Sequence, residues 1–210
     1  LWVFKPLTHL SDEKKQPAHY LVVPAGGTGL VLRGLRKEPA TIGKWHLGWD
    51  LTYKEGKAKT VDNIDFTKRV ANGPTDRGFD YFYGLTSPSG PPHLYMVNDM
   101  AEKQPNTRFE ESGGGLYKIK GGIGHSDWSA DGMQPHLADK MLEYLDENKD
   151  SDKPFFLYMA LTAPHIPLFP SKEFKGKSKI GDYGDLVMMI DDIVGRVNRK
   201  LKEIGKYDNT

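Results

Sequence analysis

The chain has 210 residues, of which 38% are hydrophobic, and this composition suits one globular domain or a large piece of one. Its 29 basic and 28 acidic residues leave a net charge of +1, which excludes a general electrostatic role at nucleic acids or membrane surfaces. Because the chain has no cysteine, it can form neither disulfides nor thiolate metal sites and has no thiol nucleophile.

The first 39 residues carry weak signals. Residues 19–23 (HYLVV) are typical of a strand, and residues 29–37 (GLVLRGLRK) of a short helix or strand. The PAGGTG loop between them lacks the lysine and the spacing of a phosphate-binding loop. The chain begins without Met and turns charged too soon for a signal peptide, so we expect it to begin inside a longer protein.

The middle of the chain, from residue 51 to 134, has poor periodicity and is rich in Gly, Pro, Asn and Asp. This composition favours loops that join short strands. The glycine-rich residues 111–124 (ESGGGLYKIKGGIG) indicate a mobile surface loop.

From residue 135 onwards the pattern is sharper. Apolar residues recur at helical spacing over about 135–148 and again over about 182–204, which predicts two amphipathic helices. Between them, the continuous apolar run 154–161 (PFFLYMAL) suits a strand that is buried on both faces. Strand and helix alternate, so the sequence predicts an α/β fold with a largely parallel sheet covered by helices.

Polar residues follow two of the predicted strands. Residues 40–43 (ATIG) lead into Lys44 and His46, and the run 154–161 leads into Thr162 and His165. In covered α/β sheets, ligands bind beyond the carboxyl ends of the strands. Lys44 and His46 alternate around a tryptophan, so an extended backbone would point both to one side. A lysine and two imidazoles at one sheet edge would favour a compact anion whose charge grows during a reaction.

Plainer interpretations stay open at this point. A Lys-x-His pair is common on ordinary surfaces, and His165, which lies between two prolines, would also suit a turn. We expect three further histidines on the surface because they follow no metal-ligand spacing: His93, His125 and His136.

Five segments in the same order resemble the type I sulfatases, in particular the arylsulfatase A-like branch of the alkaline-phosphatase-like superfamily. The resemblance covers about 40–210. The segments are IGKWHLG, GPTDRGFDYFYG, PPHLYMVND, DKPFFLYMALTAPHIPLFPSKEFKGKS and YGDLVMMIDDIVGRV. The resemblance implies an alkaline-phosphatase-like sandwich, incomplete at both ends, in which residues 40–210 are part of the N-terminal catalytic domain and residues 1–39 match poorly.

The resemblance also implies roles for the three polar residues. Lys44 corresponds to the lysine that contacts the sulfate and the nucleophile, and His46 to the histidine that hydrogen-bonds the nucleophile. His165 corresponds to the histidine that binds a sulfate oxygen and assists the leaving group. Members of the family hydrolyse sulfate esters of small molecules or glycans with Ca²⁺ and a formylglycine nucleophile, which a formylglycine-generating enzyme installs. They are periplasmic, secreted or lysosomal.

The chain departs from the family at the nucleophile. It has no cysteine and no S-x-P-x-R or S-x-A-x-R motif, and the family's calcium ligands have no counterpart in it. We therefore expect an internal fragment of a sulfatase that is inactive when assayed alone. Two alternatives stay open: a phosphonate or phosphodiester hydrolase of the same superfamily, and a truncated homologue without catalytic activity.

Overall fold

The main feature of the molecule is a six-stranded mixed sheet, seen in a computed structural model that describes residues 20–22 and 38–210. The predicted element at 29–37 lies outside the described residues. The strands and helices, in chain order, are β1 (Tyr20–Val22), β2 (Glu38–Lys44), β3 (Tyr81–Leu85), β4 (Met96–Val97), β5 (Met100–Ala101), β6 (Thr107–Phe109), β7 (Gly122–Gly124), α1 (Met133–Glu147), β8 (Phe155–Ala160) and α2 (Asp182–Glu203).

The sheet is parallel in its larger part. Its strand order is β1-β8-β2-β3-β4-β5, and the first four of these strands run parallel. Strands β4 and β5 complete the other edge in antiparallel pairing, and β6 and β7 form a separate antiparallel pair. The predicted α/β class with a largely parallel sheet is confirmed, and the strand predicted within 19–23 is β1.

Strand β2 lies between two parallel neighbours, and its register determines the position of the polar residues at the ends of β2 and β8. Gly43 of β2 is paired with Ala160 of β8 on one side and with Gly84 of β3 on the other. The carboxyl ends of all three strands therefore reach the same edge of the sheet.

Alternation along the strands divides the core between the two faces of the sheet. On one face, Ile42, Tyr83 and Leu157 pack with the buried sides of α1 and α2. On the other face, Phe82 and Phe156 pack against apolar residues of the irregular segment 45–79 and of 94–96. The predicted burial of the 154–161 strand on both faces is confirmed, and both described helices lie on the same face.

Both predicted helices form within two residues of their expected ends. In α1, Leu137, Met141 and Leu145 recur every four residues and are fully buried, so one stripe faces the sheet. Asn148 ends this helix by donating its side-chain amide to the Tyr144 carbonyl at 2.8 Å. Within the described part of the chain, neither helix combines the length and the hydropathy that crossing a membrane requires.

The segment predicted as a mobile loop, 111–124, has more structure than expected. It contains β7 and a single 3-10 turn, Gly115–Tyr117. Ser112 and Ile119 exchange backbone hydrogen bonds of 2.9 and 3.0 Å, and the Ile119 side chain is buried. One buried isoleucine, surrounded by glycine and lysine, leaves no periodic signal in the sequence.

Candidate active site

The end of β2 is built around a backbone that only glycine can form. Gly43 has φ of +134°, and a Cβ at this position would overlap the carbonyl of Ala160 on β8. A Cβ at the neighbouring Gly84 would in turn overlap the carbonyl of Gly43. The three backbones thus approach closely at this point, and the next residue, Lys44, ends β2 at a well-defined position.

Trp45 anchors the turn that follows β2. Its side chain is buried, and its ring packs edge-on against Phe79 with centroids 6.2 Å apart. Its backbone N–H donates to the Leu85 carbonyl at 3.2 Å, and its indole N–H donates to the Gly48 carbonyl at 2.9 Å. With Trp45 fixed in the core, Lys44 is half-buried and His46 is exposed.

Lys44 carries a positive charge that no carboxylate among residues 20–22 and 38–210 neutralises. Among the described residues, none forms an ion pair with it, and its partial burial lowers the pKa of the ammonium group. An unpaired, partly desolvated cation at the end of a strand is a suitable group for binding an anion.

His165 lies in a proline-rich turn after β8, and hydrogen bonds of Thr162 fix the start of this turn. The Thr162 side chain is buried and its hydroxyl accepts a hydrogen bond from the Gln134 amide on α1. The Thr162 carbonyl accepts the backbone N–H of His165 at 3.0 Å. The peptide bonds before Pro164 and Pro167 are cis. This turn presents the imidazole of His165 to solvent.

The tautomer of His165 follows from one contact. Its Nδ1 lies 2.6 Å from the carbonyl oxygen of Ile166. A carbonyl can only accept, so Nδ1 carries a proton and donates it to this oxygen. The other ring nitrogen, Nε2, is left to accept a proton from a ligand or, once protonated, to donate one.

The three predicted site residues lie at the same edge of the sheet. Lys44 is the last residue of β2, His46 comes two residues later and His165 follows β8, and the pairing of Gly43 with Ala160 makes these two strand ends neighbours. No hydrogen bond or ion pair connects the three side chains to one another within the described part of the chain. Their joint action on a substrate stays a prediction.

The described residues do not fit a calcium site. Within 20–22 and 38–210, no three His, Asp or Glu side chains gather closely enough to hold a metal ion. The buried carboxylate of Asp185 does not contribute to one, because its oxygens accept the backbone N–H groups of Gly176 and Ser178 at 2.7 and 2.6 Å. Asp185 thus connects the 176–178 loop to the start of α2, and we assign no catalytic step to a metal.

The expectation of a surface position is wrong for His93. This side chain is fully buried against the rings of Trp128 and Phe109, with centroids 4.5 and 5.1 Å from its own. Its Nε2 donates to the Lys120 carbonyl at 2.8 Å, and burial lowers the pKa of the imidazole. His93 is therefore a neutral core residue.

His136 is also less exposed than expected, and it belongs to a polar network that the sequence did not reveal. The Tyr83 hydroxyl donates a hydrogen bond to the Glu102 carboxylate at 2.6 Å, so its oxygen accepts a hydrogen bond from the Nε2–H group of His136 at 2.7 Å. Burial lowers the pKa of His136, as it does for His93. His125, half-buried, lies 3.5 Å from the Asp127 carboxylate and nearer the surface.

Comparisons with known proteins agree on one family. A family model described as Sulfatase matches residues 31–210. N-acetylgalactosamine-6-sulfatase of Sus scrofa is 30% identical over 184 residues, which cover 86% of this chain but only 30% of that protein. The chain thus spans less than a third of the length of this curated relative.

Solved structures show the same fold. One, from work on the metabolism of multiple glycosaminoglycans by Bacteroides thetaiotaomicron, has a TM-score of 0.64 at 22% identity and covers 83% of this chain and 41% of its own. Another, Ps i-CgsB in complex with k-i-k-neocarrahexaose, has a TM-score of 0.52 at 20% identity and covers 83% of this chain and 35% of its own. At these identities the likeness concerns the fold alone.

Proposed function

Since this chain belongs to the sulfatase family, we propose that the whole protein hydrolyses sulfate esters and that residues 40–210 form part of its catalytic domain. The observation that carries the proposal is the emergence of Lys44, His46 and His165 from two neighbouring parallel strands at one sheet edge. A cation and two imidazoles in this position suit an anionic ester whose leaving oxygen develops negative charge as its bond breaks.

Lys44 would bind a sulfate oxygen. Its ammonium group is a compact point charge, and no carboxylate of the described residues competes for it. Partial burial lowers the pKa of Lys44, and a bound anion would oppose this shift by favouring the charged form.

The two histidines would move protons. His46 is exposed beside Lys44 and would accept a proton from the attacking group. In its charged form, His165 would donate the Nε2 proton to the leaving oxygen, while Nδ1–H remains bonded to the Ile166 carbonyl. After the transfer, His165 is left in the tautomer that the structure already supports.

By membership of the family, the whole protein would use a formylglycine nucleophile and Ca²⁺, and a formylglycine-generating enzyme would act on it. The described residues supply neither group. Their contribution is limited to binding the anion and transferring protons.

The substrate class that we propose is a sulfated sugar, free or within a glycan. It is supported by the name of the Sus scrofa relative, which refers to a sulfated N-acetylgalactosamine. N-acetylgalactosamine 6-sulfate is accordingly the sugar with which to begin.

The experiment is an assay of the whole protein, coexpressed with a formylglycine-generating enzyme, on three substrates. These are an aryl sulfate, N-acetylgalactosamine 6-sulfate and an aryl phosphodiester. We expect release of sulfate from at least one sulfate ester and much slower release from the phosphodiester. Faster cleavage of the phosphodiester would favour the related hydrolase, and a protein that binds sulfate but cleaves none of the three would favour a non-catalytic homologue.

A further inference from the structure

The loop formed by residues 112–119, called here the tip loop, contacts the segment that follows His165. The mutual hydrogen bonds of Ser112 and Ile119 close its base, and the buried Ile119 side chain anchors it. Its tip carries two large apolar side chains, Leu116 and Tyr117, which are 54% and 38% exposed. Exposed apolar groups on a loop that is fixed at its base are typical of a contact surface.

The tip loop is attached to the turn that carries His165. The backbone N–H of Leu168, three residues after His165, donates to the Leu116 carbonyl at 2.8 Å. The ring of Tyr117 packs edge-on against Phe169, with centroids 6.0 Å apart. Ile166, directly after His165, is 43% exposed. The tip loop is therefore in direct contact with the turn that carries His165.

Asp182, at the start of α2, interacts with Tyr117 from a third direction. Hydrogen bonding with this carboxylate raises the pKa of the phenol. Asp182 itself lies 3.7 Å from the Lys175 ammonium group. Because the ring is already held in place, a ligand that packs on it would lose little binding energy in ordering it.

We propose that Tyr117, together with Leu116 of the same loop and Ile166 of the contacting turn, binds the sugar ring of the sulfate ester whose leaving oxygen faces His165. The inference rests on the proposed function and adds a residue that determines specificity. The C–H face of a pyranose is apolar and packs well on an aromatic ring. Lys44 and the histidines would hold the sulfate, and Tyr117 would select the group that carries it.

The test compares Tyr117→Ala with Tyr117→Phe and with a control, Tyr207→Ala. Tyr207 is 40% exposed, close to the 38% of Tyr117, and lies beyond the far end of α2. That helix has 22 residues, a length of about 33 Å. The whole protein is produced without the formylglycine-generating enzyme, so that sugar is bound but not turned over. Dissociation constants are measured by calorimetry for inorganic sulfate and for N-acetylgalactosamine 6-sulfate.

We expect Tyr117→Ala to weaken the binding of the sulfated sugar by about tenfold, the scale of one lost aromatic contact. Inorganic sulfate, which does not reach the ring, should bind within about twofold of the parent protein. Tyr117→Phe retains the ring and Tyr207→Ala leaves the site intact, so both should bind the sugar within about threefold of the parent.

Three outcomes would overturn this inference or its premise. Equal sugar binding by Tyr117→Ala and Tyr207→Ala overturns the role of Tyr117, even if the active enzyme hydrolyses sulfate esters. Equal losses for sulfate and sugar in Tyr117→Ala would show a general disruption of the site and overturn the selective role. A whole protein that binds the sugar through Tyr117 but hydrolyses no sulfate ester after coexpression overturns only the proposed function.

Discussion

Two groups of histidines in this molecule look alike in the sequence and differ in the structure. His165 and His93 both lie beside prolines in segments without regular periodicity. His165 faces solvent at the carboxyl end of a parallel strand, whereas His93 is fully enclosed by aromatic rings. A candidate catalytic histidine therefore differs from a core histidine in its position relative to the ends of parallel strands, and not in the composition of the sequence around it.

The physical basis of this difference is solvation. Burial lowers the pKa of both His93 and His136, which favours the neutral ring, and each ring forms one hydrogen bond inside the protein. Such groups stabilise the fold and do not exchange protons readily with a ligand. His46 and His165 are open to solvent and able to do so.

The largest effect that we expect at the sheet edge is that of Lys44→Ala in the whole, active protein. Loss of the anion-binding cation should lower kcat/KM for a sulfate ester by about 10³. The matched control is Lys54→Ala, which removes an exposed lysine from the loop that follows. Steady-state kinetics provide the measurement, and a loss of less than tenfold, or an equal loss in the control, would exclude Lys44 from the site.

His165→Ala should have the next largest effect. Loss of the proton donor to the leaving group should lower kcat/KM by about 10². The loss should be smaller for an aryl sulfate with a good leaving group than for a sugar sulfate, because a weakly basic phenoxide needs less assistance. His125→Ala, a histidine outside the site, serves as the control. A change within threefold for both substrates would make His165 a turn residue only.

Replacement of the buried His93 by alanine should affect the stability of the fold and not the catalytic rate. His93→Ala leaves a cavity and an unpaired Lys120 carbonyl, so it should lower the free energy of unfolding by about 2–4 kcal/mol. Urea denaturation measures this change, and kcat of the folded variant should stay close to that of the parent. Unaltered stability together with a large loss of kcat would reverse the comparison between the two regions.

The smallest effect concerns pH. A histidine whose pKa is lowered by folding binds protons more weakly in the folded than in the unfolded state, so stability rises with pH in that range. The contribution is complete above the ordinary value of about 6.5 and is lost as the pH falls through the depressed folded value. Urea midpoints at pH 7.5 and 5.5 should therefore fall more for the parent than for a His93→Gln, His136→Gln double variant. An equal fall would show that neither ring contributes.

The sequence predicted those elements whose own residues show a regular pattern of hydrophobicity. The helices were predictable because Leu137, Met141 and Leu145 recur with helical spacing, and β8 because its apolar run is continuous. Strands β4 and β5 have two residues each and β6 three, too few to show a period of two, so their pairing follows only from the tertiary structure.

In the candidate site, too, residues that follow from a local pattern were predictable, and residues placed by distant contacts were not. Lys44 and His165 were predictable as candidates because Lys44 ends one buried strand and His165 lies in the turn after another. The burial of His93 was not, since the rings that enclose it come from Phe109 and Trp128, far along the chain. Tyr117 gave no signal either, because its place beside Phe169 depends on a contact between residues that are distant in the sequence.

The central claim is that Lys44 and His165 act on one anion at one sheet edge. Its most direct test is a crystal structure of the whole protein with bound sulfate. We predict a single sulfate with one oxygen within about 3 Å of Lys44 Nζ and another within about 3 Å of His165 Nε2. A sulfate bound elsewhere, with these two nitrogens too far apart to reach one anion, would contradict the account.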